Sequence, residues 1–210
     1  MTDLAQTIAR VAADLQDPDH AYWSTADHEA NLRRALAHYS LLNPRRAQQV
    51  LPTSAGQREI DLSPLGALEV VDLWYPWDPD HPPAQPGRPP FILLDATTLY
   101  LESDGPPQGT LQDQLRLFYL APHTLSGLNG ATLTTLDEAG LSLLVLLATA
   151  AAAMQRCQST IGRVTVSNWT AGQLLEWAQA RQRQADAACE ALRRRLASAQ
   201  EARVTWEAPL

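Results

Sequence analysis

Lysine is absent from this chain of 210 residues: all 16 basic side chains are arginine. That absence removes the amine of Schiff-base chemistry and the phosphate-gripping lysine of a GxxxxGK[ST] loop. GxGxxG, GxSxG and HExxH are missing as well. Cysteine is scarce. Cys157 and Cys189 alone cannot build the disulfide framework of a small secreted domain, and both read as buried, small apolar residues in helices. Positive charge is also in deficit: the net charge is −7 and the pI ≈ 5.1, which excludes a protein that grips nucleic acid through many phosphate contacts. The longest apolar run, Leu141 to Met154, is interrupted by Ser142 and Thr149 and is too short to span a bilayer. The N-terminal stretch carries Asp3 and alternates apolar with polar residues, unlike a signal peptide. These absences imply a soluble chain made in the cytoplasm, with no membrane partner, no cofactor and no metal.

What is present is an ordinary globular composition, 45% apolar and 19% charged, on a chain long enough to bury roughly 70% of its unfolded surface. Leu4, Ile8, Val11 and Leu15 form one apolar stripe on a helix that ends before Pro18. A second helix starts near Ser24 or Thr25, with Asp27 and Glu29 in its first turn and Leu32, Leu36 and Tyr39 on its buried face; Pro44 marks its end or lies just beyond it. From Leu51 the period changes to two. REIDLS, ALEVVDLWYP, PFILLD, TTLYLES and QLRLFYLA read as five short strands, with Ile60 and Leu62, then Phe118 and Leu120, as the alternating positions. Their short turns favour antiparallel pairing. Between Pro76 and Pro90 lie seven of the 15 prolines, which predicts a projecting loop.

Helical character returns at Thr135, whose spacing to Glu138 fits a capping box before an apolar, Ala-rich helix. Residues 158 to 169 break the pattern and read as a loop or a short hairpin, and Thr170 with Gln173 opens a long final helix. The expected fold class is therefore α+β. N- and C-terminal helices (residues 1–50 and 135–203) form a bundle, an antiparallel β-sandwich or barrel (51–134) is inserted into it, and an apolar tail (204–210) follows.

No catalytic set is visible, so the chain does not read as an enzyme. Asp19-His20 and Asp27-His28 are the only hint of paired metal ligands, the basis of a metal-hydrolase reading. Trp74, Tyr75 and Trp77 beside Asp78, Asp80 and His81 could stack on a sugar or cradle a cation, but Trp74 or Tyr75 filling the sheet core with the loop carboxylates solvated is the simpler reading. An exposed Trp77 could instead anchor a protein partner, and the length of the loop favours the partner over the sugar. Arg193, Arg194 and Arg195 complement the dipole of the last helix or begin a docking element that continues through Arg203, Val204, Trp206 and Leu210. Val-Thr-Trp in such a tail could add as a strand to a partner's sheet.

The run RRALAHYSLLNPRRAQQVLPTSAGQREIDLSPLGALEVVDLWYP, then FILLD, LRLFYLAPHTL and TLTTLDEAGLSLLVLLATAAAAM, resembles the head-to-tail adaptor (connector or neck) proteins of tailed bacteriophages and related prophages. The resemblance covers residues 25 to 200. It implies a structural virion protein at the head–tail junction, forming a ring of about twelve copies under the portal and extending the channel through which double-stranded DNA passes. It further implies that residues 192 to 210 reach the portal. The loop with Trp77, Asp78, Asp80, His81 and Arg88 would face the next tail or neck component or a neighbouring subunit. A tail-completion or tail-tube-end protein is the nearest alternative, and a carbohydrate-binding module a more distant one.

Overall fold

The structure, a computed structural model, describes residues 2–160 and 171–207. Among the described residues it is a mixed α+β chain of four α-helices and two small antiparallel sheets. It divides into a helical unit, residues 1–43 with 123–210, and a β unit, residues 44–122.

Local signals set the first two helices. Helix α1 (Leu4–Asp14) is capped by Asp3, whose carboxylate accepts from the Gln6 amide at 2.9 Å, and it buries Ile8, Val11 and Ala12. It closes in a Schellman motif: Gln16, at φ 56°, donates to Ala13 O and Asp17 to Ala12 O. Helix α2 (Thr25–Leu42) begins with a capping box of Ser24 and Asp27. Helix α3 (Glu138–Thr160) extends beyond the predicted apolar run, and by length and composition it is long and apolar enough to cross a membrane. Its apolar surface is used here for packing, with α1, α2 and α4 (Ala171–Glu207) against it and Leu144, Ala148 and Ala152 fully buried. The expected cap at Thr135 is replaced two residues later. The Asp137 carboxylate accepts from the Gly140 amide at 2.7 Å, while the Thr135 hydroxyl accepts from the Thr124 amide at 2.9 Å. Asp caps as well as Thr does, so the spacing alone did not decide between them. Residues 161–169 and Thr170 lie outside the described residues.

The boundary between the units is not where the change of period put it. RRAQQVL is strand β1 (Arg45–Leu51), so the chain leaves the helical unit at Asn43. It returns at His123 rather than near residue 134, because Leu125 and Leu128 are buried in the helical core. His123 ties exit to return. Its amide donates to Ser40 Oγ at 2.9 Å, and its Nε2 lies 2.9 Å from Asn43 O. A carbonyl only accepts, so Nε2 carries the proton and Nδ1 takes the Thr135 hydroxyl at 3.2 Å.

The β unit holds β1, β2 (Glu59–Asp61), β3 (Glu69–Trp77), β4 (Phe91–Leu93), β5 (Thr98–Leu101) and β6 (Gln114–Ala121) in two sheets, ordered β1-β6-β3 and β2-β5-β4. One core draws on both: Leu73, Tyr75, Leu115, Leu117 and Tyr119 from the first, Ile60, Leu99 and Leu101 from the second. On β6 the inward positions are therefore Leu115, Leu117, Tyr119 and Ala121, and the alternating pair Phe118 and Leu120 lies on the other face. The strand is apolar on both faces from Leu117 to Leu120, so alternation offered two registers and only the opposing sheet selects one.

Candidate interaction surface

On the outer face of β1-β6-β3, a guanidinium sits among three aromatic rings. Register places Gln48, Phe118 and Asp72 in one row and Val50, Arg116 and Trp74 in the next. The irregularity between Trp74 and Trp77 brings Trp77 to the same face, opposite Gln114. Arg116 Cζ lies 4.5 Å from the Trp77 ring centroid, 5.2 Å from Trp74 and 5.3 Å from Phe118, and its Nη2 donates to Gln48 Oε1 at 2.7 Å. Arg88 approaches Trp74 at 5.8 Å and Asp72 at 3.6 Å, while the Trp74 indole donates to Asp72 at 3.1 Å.

This arrangement corrects the reading of Trp77 as an exposed anchor: it is buried, 6% accessible. The sugar platform fails for the same reason. Tyr75 points into the core, and the Trp74 ring is approached by both Arg88 and Arg116. Arg116, which the sequence reading did not single out, and Phe118, which it read only as a strand position, organise the face; the signal was a basic residue amid Trp and Phe on one strand face. Arg116→Ala should destabilise the β unit by about 1–2 kcal/mol, more than an ordinary exposed arginine. Urea unfolding followed by tryptophan fluorescence measures this, and a change within error of zero would show the stacking to be idle.

The Pro-rich segment does not simply project. Gly87 O accepts from the Tyr75 amide at 3.0 Å, and a Cβ on Gly87 would lie 2.5 Å from Tyr75 O, so the returning limb lies against β3 where only glycine fits. Asp78 folds the first turn by accepting from the Asp80 and His81 amides at 2.9 and 3.2 Å. Asp80 and His81 remain exposed.

The helical unit offers a groove of about 490 Å³, lined by Tyr39, Gly140, Leu143, Leu146, Leu192 and Arg195. Of the three consecutive arginines, Arg193 and Arg194 reach Glu190 on their own helix at 3.7 and 3.2 Å. Arg195 has no ion pair among the described residues and stands at the groove's rim. The expected extended tail is corrected in part: Arg203, Val204 and Trp206 belong to α4, whose backbone is helical through Glu207, and Leu210 lies outside the described residues. Ala, Gln, Glu and Arg before them are strong helix formers, and the first breaker after Gly172 is Pro209.

The histidine pair does come together. The His20 and His28 rings are 5.1 Å apart, with His28 fully buried. Their acidic neighbour is Asp17 rather than Asp19, and its oxygens accept the amides of Ala21, Tyr22 and Trp23 at 2.8, 3.0 and 3.1 Å. Asp27 is held by Ser24. Among the described residues no group of three His, Cys, Asp or Glu side chains is placed to hold a metal ion. Both cysteines are buried, Cys157 with its Sγ 3.2 Å from Leu174 O, and burial pushes both thiols above the usual range. The chain matches no protein-family model and no curated protein.

Proposed function

We propose that this chain is a structural head-to-tail adaptor of a tailed-phage particle or a prophage relative. The observation that supports the reading is the insertion: a β unit of two sheets, residues 44–122, stands between the two halves of a helical unit built from both ends of the chain. That is the order of parts the resemblance implies. In the finer reading the four helices form a bundle and the two sheets a small sandwich. Copies assemble into a ring of about twelve under the portal. The groove with Arg195 at its rim meets the portal, and the loop with Asp78, Asp80, His81 and Arg88 faces the next neck or tail component or a neighbour. The chain is acidic, and Arg10, Arg33, Arg88, Arg193 and Arg194 are paired with carboxylates while Arg116 is stacked on tryptophan, which lowers its attraction for phosphate and suits a channel wall past which a duplex slides.

Co-expression with the portal protein encoded nearby, followed by electron microscopy of the product, tests the reading. The expected product is a cylinder with one adaptor copy per portal subunit, and Arg195→Glu should lower the bound fraction at least about tenfold, as loss of a charge at an interface does. Absence of association overturns the reading. A chain that caps tail tubes instead is a tail-completion protein.

A further inference from the structure

Two three-stranded sheets have four outer edges, and among the described residues three of them are guarded. Strand β1 carries Arg45 and Arg46. Strand β2 carries the exposed carboxylates of Glu59 and Asp61. Strand β3 is irregular at two places and receives Gly87 on its outer side. Charge, bulges and covering segments are the usual means by which an edge is kept from pairing with another chain.

Strand β4 has none of these within it. Its hydrogen bonds to β5 alternate: Leu94 donates to Thr98 O at 2.9 Å and Glu102 donates to Pro90 O at 3.0 Å. The register Phe91↔Leu101, Ile92↔Tyr100, Leu93↔Leu99 then turns the backbone of Pro90, Ile92 and Leu94 toward β5, and that of Phe91 and Leu93 outward. No partner is described for the amide or carbonyl of either. The side chains are equally unfinished. Ile92, Leu93 and Leu94 are 48%, 46% and 53% accessible, a run of three large apolar residues in the open. Prolines 89 and 90 precede the strand and leave its outward amides free.

We propose that β4 is a self-pairing edge through which two copies of this chain associate in antiparallel register, Phe91 of one opposite Leu93 of the other. The strand is complementary to itself in that register. Both outward residues become hydrogen-bonded pairs, each exchanging two bonds, so the contact gains four backbone bonds. Ile92 faces Ile92 across the two-fold axis, in the close, non-bonded type of pair where apolar side chains meet best. No charged side chain lies between Pro89 and Leu94 to oppose it. A charged or irregular strand from elsewhere would be a poorer match than this neutral one, which is why a second copy is the occupant. The contact is short, so the dimer is weak and concentration-dependent. The inference stands apart from the adaptor reading and holds for the isolated protein.

Sedimentation equilibrium of the full chain from about 5 to 500 µM, with amide exchange at both ends of the series, tests it. The expected result is a monomer–dimer equilibrium in which the Phe91 and Leu93 amides become protected with concentration while those of Ile92 and Leu94, already bonded, change little. Ile92→Lys puts like charges face to face and should raise the dissociation constant at least about tenfold. Leu93→Pro removes an outward amide that the chain itself does not use and should do the same, with the far-ultraviolet circular dichroism of both variants unchanged. A chain monomeric throughout the series overturns the proposal, as does a dimer that both variants leave intact. A monomer whose Phe91 and Leu93 amides are protected only on adding a portal or tail component would assign the edge to a partner's strand instead.

Discussion

Asp17→Ala is expected to cost the helical unit about 3 kcal/mol, since three amides lose a charged acceptor and each buried donor left unpaired costs about 1–3 kcal/mol. The residue is only 3% exposed, yet it is a carboxylate in a ten-residue connection between two helices. Its burial follows from its work. The Schellman turn at the end of α1 delivers Asp17 with its amide already bonded to Ala12 O, and Pro18 prevents the helix from continuing. The carboxylate then gathers the amides of Ala21, Tyr22 and Trp23, which turns the chain so that Trp23 enters the core and its indole donates to Ala152 O at 3.1 Å. Removing the carboxylate frees the connection and loosens both Trp23 and the Ser24 cap beside it. A fall of roughly 6–12 °C in the Tm of the helical unit is the calorimetric equivalent. Asp17→Asn keeps one acceptor oxygen and should lose less. If Asp17→Ala unfolds within about 0.5 kcal/mol of the parent, the amides have found other acceptors and the argument fails.

How far such features were legible depended on how local their causes are. The α1 stripe and the Ser24 cap could be read because each rests on residues within one or two turns. Asp17 could not, because a carboxylate before three amides has no periodic signature; Asp19, adjacent to His20, drew the metal reading in its place. Strand β1 was missed for a related reason. RRAQQVL alternates weakly, and what makes it a strand is pairing with β6, some 70 residues later in the chain. Phe118 and Leu120 could be read as alternating but not assigned to a face, because both faces of β6 are apolar. Trp77 was placed in the open because the irregularity that returns it to Arg116 lies in the register, not in the composition. At the candidate docking surfaces Arg195 and Arg88 were foreseen as charges, whereas Arg116 and the groove beside Tyr39 exist only once strands and helices have been brought side by side. Val204 and Trp206 show the opposite case, in which local β preference was overridden by the 37-residue helix that contains them.

His28→Leu should stabilise the helical unit near pH 7.5, by about 1–2 kcal/mol, and should remove part of its sensitivity to acid. His28 is fully buried in the first turn of α2, and neither ring nitrogen has a hydrogen-bond partner among the described residues. Burial pushes its pKa below the usual 6.5, the His20 charge pushes the same way, and Asp17 and Asp27 oppose them. The positive end of α2 adds to the penalty on a cation. The folded chain therefore keeps His28 neutral at a pH where the unfolded chain takes up a proton. Stability from this residue is level above pH 6.5 and declines as the pH falls below it, by up to about 1.4 kcal/mol per unit, until the folded value is passed. His20, His38, His81 and His123 are common to both proteins, so the difference between the parent and His28→Leu in urea unfolding at pH 7.5, 6.5, 5.5 and about 5 isolates this one ring. The parent should lose stability faster on acidification, and the two curves should diverge below pH 6.5. Parallel curves would mean that His28 takes up its proton equally in the folded and unfolded chains, the charges of Asp17 and Asp27 offsetting the burial of the ring.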